Sequence, residues 1–139
     1  MTTSASEQYR AEMVRLLPEV KQIFSVEWPR ALGTEPLGGE AWQGAVDALA
    51  ARVDGLRVRI QMREAPDDWT VSRALVVDSL SKTAEAIRGM RTAVINGDAQ
   101  GEEDALADMQ SAQAILDEAM AQVPPARKVA RTRGNGQTA

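Results

Sequence analysis

Residues 67–123 read DDWTVSRALVVDSLSKTAEAIRGMRTAVINGDAQGEEDALADMQSAQAILDEAMAQV. Before the Asn96-Gly97-Asp98 triplet, Val76, Leu80, Thr83, Ile87, Met90 and Val94 recur at spacings of 4, 3, 4, 3 and 4, the stripe a helix presents to a neighbour packed along its length. After the triplet, Leu106, Met109, Gln113, Leu116, Met120 and Val123 recur at 3, 4, 3, 4 and 3. Period-two alternation fits neither arm, so strands are excluded. Asn96 and Gly97 suit the left-handed conformation that closes a helix, and Asp98 suits the cap that opens the next. The stretch therefore reads as a helical hairpin. Reflection about Asp98 sets Met90 against Leu106, Ile87 against Met109, Leu80 against Leu116 and Val76 against Met120. It also joins Thr83 to Gln113, the only polar residues on the two stripes, as a buried pair. The alternative is that Ala112 takes the seam and Gln113 faces water.

Working outward, Glu64-Ala65-Pro66-Asp67-Asp68 is a short stop and restart, with acids at the positive helix end. Upstream of it, Trp42, Val46, Leu49, Val53, Leu56 and Ile60 form another stripe. Trp28-Pro29 to Gly39 is dense in proline and glycine and reads as a loop of about ten residues. Tyr9, Met13, Leu16, Val20 and Ile23 continue the same rhythm in a first helix, where Pro18 predicts a kink near Val14–Leu17. Pairing across the loop sets Ile23 opposite Trp42, Val20 opposite Val46 and Leu16 opposite Leu49. The expectation is an all-α, antiparallel four-helix bundle of two helical hairpins over 1–123, with helices near 6–28, 40–63, 68–95 and 99–123. Gly55 and Gly89, inside helices, mark expected close approaches. Pro124-Pro125 ends the last helix. Residues 124–139, with Arg127, Lys128, Arg131 and Arg133 and almost nothing apolar, read as a disordered, flexible basic tail.

At 139 residues the chain suits one domain. It has neither cysteine nor histidine, which removes disulfides, thiol chemistry, and the usual neutral-pH proton shuttle and metal ligand. No catalytic constellation, cofactor site or metal site is expected, and the chain reads as non-enzymatic. Charges scattered through Met1–Phe24 do not fit a signal peptide, and no apolar run reaches the ~20 residues of a membrane span. The expected place is cytoplasmic, with leaderless export or incorporation into a particle left open. The net charge is −4, and removing the four positive charges of the tail leaves −8 on the body. Such a body repels phosphate, so only the tail is suited to nucleic acid.

Asp98, Glu102, Glu103, Asp104, Asp108, Asp117 and Glu118 crowd the last helix with no basic residue among them. They read as a solvated face, the alternative being a carboxylate-only metal-binding bundle. Arg52, Arg57, Arg59 and Arg63 gather near the end of the second helix, where cations suit the negative terminus. The loop is the natural contact surface, so Leu32 and Leu37 join Arg127, Lys128, Arg131 and Arg133 as expected partner-binding residues. By exclusion, the chain reads as a helical interaction or assembly protein, such as an adaptor, a self-assembling or a virion-type structural component. It is expected to contact another protein or a second copy of itself.

Gly38-Gly39-Glu40-Ala41-Trp42-Gln43-Gly44 resembles the Trp-x-Gly turn of the small helical-hairpin proteins exported by type VII secretion systems. That resemblance implies export, with the motif in the turn between two helices. Here Trp42 also falls on the second helix stripe, and no Tyr-x-x-x-Asp/Glu signal follows the bundle.

Overall fold

The computed structural model describes residues 4–125. All regular structure among them is helical: α1 (Ala5–Gln22), a π-turn (Ile23–Glu27), α2 (Trp28–Leu32), α3 (Glu40–Gln61), a 3-10 turn (Asp67–Trp69), α4 (Thr70–Asn96) and α5 (Ala99–Ala121). With α1, the π-turn and α2 taken as one rod, these are four helices around one hydrophobic core. Ser4 opens the rod through a capping box, its hydroxyl accepting from the Glu7 amide while the Glu7 carboxylate accepts from the Ser4 amide.

Pro18 does not end α1, which runs on to Gln22. It lies exposed beside exposed Val14, so the carbonyl that its missing N–H leaves free faces water. The irregularity comes later, as the π-turn. That turn holds one extra residue, and Ile23, Phe24, Trp28 and Ala31 all stay buried across it. Pro29 sits in the first turn of α2, where no N–H is needed, and the helix runs on to Leu32. The irregular link is consequently confined to 33–39.

This moves the register of the first two helices. Glu12 pairs with Arg63 at 2.5 Å and Glu19 with Arg52 at 3.5 Å. Leu16 lies with Arg59 and Met62, not with Leu49, which lies with Glu27 and Ala31. The fold point is displaced down the chain because the first rod is longer than its prolines suggest.

All six α3 stripe residues are buried. Between α4 and α5 the seam differs from the expected one. Val76, Leu80, Thr83, Ile87 and Met90 are buried, as are Met109 and Leu116 on α5, but Leu106 is 43% exposed and Gln113 is exposed. Ala105, Ala112 and Ala119 take the α5 side, facing a row of Ser72, Ser79, Ala86 and Ala93 on α4, all buried. The Ser72 hydroxyl donates to the Ala119 carbonyl at 2.9 Å and the Ser79 hydroxyl to the Ala112 carbonyl at 2.7 Å. The contacts climb α4 by seven while descending α5 by seven. Thr83 donates to the Ser79 carbonyl in its own helix at 2.7 Å, so the Thr83–Gln113 pair does not exist. Serine and alanine at heptad spacing bring these two helices closest of all, a separation that a leucine or glutamine side chain would prop open. Of the two glycines expected at close approaches, Gly55 faces open space and Gly89 makes only ordinary contact with Ala105. The close approach is at Gly101, where a Cβ would stand 2.9 Å from that of Ala93. Gly97 closes α4 in the left-handed conformation, φ 66°, and Asp98 caps α5 by accepting from the Gly101 amide at 3.0 Å.

Candidate interaction surfaces

The loop 33–39 is pinned at both ends. Thr34 donates to the Arg30 carbonyl at 3.1 Å, the Gly39 amide to Pro36 at 2.9 Å, and the Gln43 side chain to the Gly38 carbonyl at 2.9 Å. Gly38 has φ +78°, and a Cβ there would stand 3.2 Å from the Val94 side chain, so the loop lies against the end of α4. Leu37 adjoins that contact and is 63% exposed; Ile95, next to Val94, is 46% exposed. Leu32 is half-buried against the core. The two leucines thus occupy different environments. Arg127, Lys128, Arg131 and Arg133 lie outside the described residues.

The arginines of α3 are mostly used within the fold. Arg52 donates to Glu27 at 2.6 Å and reaches Glu19, and the Glu27 hydrogen bond raises its pKa. Arg57 lies 3.8 Å from Asp54 and donates to Gln61 at 2.7 Å. Arg63, just past α3, holds Glu12. On the other flank Asp54 also pairs with Arg88, and Arg91 lies 2.7 Å from Asp47. Arg59 has no partner among the described residues, and neither does Arg15 on α1. Both line a groove of about 560 Å³ between α1 and α3, together with Glu12, Leu16, Glu19, Met62 and Arg63. Met62, on its rim, is 81% exposed.

The acids of α5 have mixed roles. Asp98 is the cap, Asp104 accepts from Gln100, Asp108 lies 3.9 Å from Lys82, and Glu118 accepts from Gln122. Glu102, Glu103 and Asp117 have no such partner among the described residues. No group of three or more carboxylates placed to hold a metal occurs among the described residues.

Two buried polar atoms stand apart. The Tyr9 hydroxyl has no hydrogen-bond partner among the described residues. Its ring packs on Trp69 at 5.1 Å, with the Arg10 guanidinium over the same indole at 5.4 Å. Burial raises the phenol's pKa, opposed by Arg73, reinforced by Glu12 and opposed again by Arg63. The Trp42 indole N–H is likewise unpartnered, and Trp42 is fully buried in the first turn of α3. The Trp42-Gln43-Gly44 tripeptide therefore lies inside a helix and not in the turn between two.

Sequence reasoning named the loop but missed the groove. Arg59 was visible on the α3 face, yet its place beside Arg15 depends on a register that the sequence leaves undetermined. Among the described residues no helix is long and apolar enough to cross a membrane. No protein-family model, curated protein or solved structure matches the chain.

Proposed function

We propose that this protein is a non-enzymatic, antiparallel four-helix bundle that works by protein–protein contact, with another protein or a second copy as partner. The observation that carries this reading is Leu37, 63% exposed at the tip of a loop whose neighbours are hydrogen-bonded or packed in place. A large apolar side chain held in water on a fixed backbone pays little ordering entropy when a partner covers it, and Ile95 extends the apolar surface at the same end of the bundle. Function on a rigid helical scaffold concentrates in such loops.

The test is affinity capture from the native host. The full chain is compared with Leu37→Ser and with a chain ending at Pro125. A specific protein retained by the full chain and lost from Leu37→Ser, at unchanged melting temperature, supports the reading. Equal capture by Leu37→Ser counts against the loop, and loss only from the shortened chain assigns contact to the tail.

A further inference from the structure

The α1–α3 groove holds two arginines that the fold leaves unpaired. Arg15 and Arg59 stand on its opposite walls, Leu16 and Met62 supply its apolar surface, and Glu12 and Glu19, which also line it, are already held by Arg63 and Arg52. Two cations facing across a hollow repel, and an acidic group entering between them relieves that repulsion. The fitting occupant therefore has carboxylates beside one apolar anchor.

The start of α5 carries that arrangement. Glu102 and Glu103 precede Leu106 by four and three residues, so all three share one side of the helix. Leu106 is 43% exposed, and neither glutamate is paired among the described residues. We propose that the groove receives this part of α5 from a second copy of the chain, Leu106 packing on Leu16 and Met62 while Glu102 and Glu103 face Arg15 and Arg59. This deepens the protein-contact reading and rests on it. Groove and ridge lie on different elements, so the contact is head-to-tail. Each copy keeps one free groove and one free ridge, and association grows as open chains unless a ring closes.

That asymmetry supplies the experiment, sedimentation velocity on the purified full chain. Wild type should gain mass with concentration at low salt, and lose it as salt rises from about 0.05 to 0.5 M. Arg59→Glu removes the groove and Glu103→Arg the ridge. Each alone should weaken association by about tenfold or more. Mixed one to one, the intact ridge of one variant meets the intact groove of the other. At the remaining contact the cation introduced by Glu103→Arg faces the carboxylate introduced by Arg59→Glu, so the mixture should regain the growth that each variant alone lacks. Arg59→Gln and Glu103→Gln give the milder pair, and circular dichroism melts confirm folding.

Association unchanged by either reversal overturns the proposal while leaving self-contact elsewhere. A wild type that stays monomeric at every concentration also overturns it, giving the groove to an acidic segment of another protein or to nothing. The capture experiment on Leu37 then judges the broader reading separately.

Discussion

Substituting leucine at Ala112 and, in a second variant, at Gln113 turns the same side chain by about 100° around α5 and tests which face meets α4. Ala112 is fully buried, with its carbonyl accepting from the Ser79 hydroxyl at 2.7 Å. Three extra carbons there have no space between helices held by serine-to-backbone bonds. Overpacking costs about 1–3 kcal/mol, and severing the Ser79 bond adds about 1 kcal/mol. A loss of about 2–4 kcal/mol lowers the melting temperature by about 8–16 °C in a domain of this size. Gln113 is exposed, so Gln113→Leu should change stability by no more than about 0.5 kcal/mol. Thermal and urea melts followed by circular dichroism read both. If Gln113→Leu proved the more damaging, the seam would run through Gln113 and the small-residue contact described above would be wrong.

Tyr9→Phe should leave stability at neutral pH unchanged or higher by up to about 1 kcal/mol, because the hydroxyl it removes is buried without a partner. The folded pKa of Tyr9 is raised above 10.0, so its contribution is fully present below that pH and is lost as pH climbs through the folded value; phenolate absorbance of this single tyrosine, appearing at pH 10 or below in the folded chain, would contradict the burial. Gly97→Ala should cost about 1 kcal/mol through its positive φ alone, whereas Gly55→Ala, with open space at the Cβ, should gain about as much; matching melting temperatures would refute the contrast. Leu32→Ser should destabilise by about 1–2 kcal/mol and Leu37→Ser should leave the melting temperature in place, since only the first packs on the core; equal losses in a urea melt would place both leucines in the core.

The existence and approximate extent of the helices were legible because large apolar residues mark a helix face by volume. All six α3 positions from Trp42 to Ile60 are buried as their spacing requires. The same emphasis on volume hid the α4–α5 seam. Ser72, Ser79, Ala86 and Ala93 recur at sevens, as do Ala105, Ala112 and Ala119, yet small residues carry little hydrophobic signal and the bulkier Leu106 and Gln113 beside them drew the reading. Register was less legible still, because it depends on where each link ends. Pro29 reads as a breaker in sequence, and only the structure places it in a first turn where the backbone tolerates it. The groove inherits that uncertainty, being made of residues from two helices whose alignment shifts with the link.

The two kinds of helix contact also explain why the groove lies between α1 and α3. Where α4 meets α5, side chains no larger than serine fill the row of closest approach, and backbone and hydroxyl groups meet directly. The first rod is held differently. Tyr9, Met13, Leu17, Phe24 and Trp28 form its buried face, and bulky side chains keep its backbone farther from its neighbours than α4 is from α5. Across such a gap, contact with α3 at the surface passes to long side chains, as Arg52 does with Glu19 and Glu27 and Arg63 with Glu12. Ion pairs bridge a gap without filling it. The unfilled remainder is the groove that leaves Arg15, Arg59 and Met62 open to solvent. Met13→Ala, in the buried face of the first rod, should lower stability by about 2–5 kcal/mol, read in a urea melt, and an unchanged melt would place Met13 outside the core.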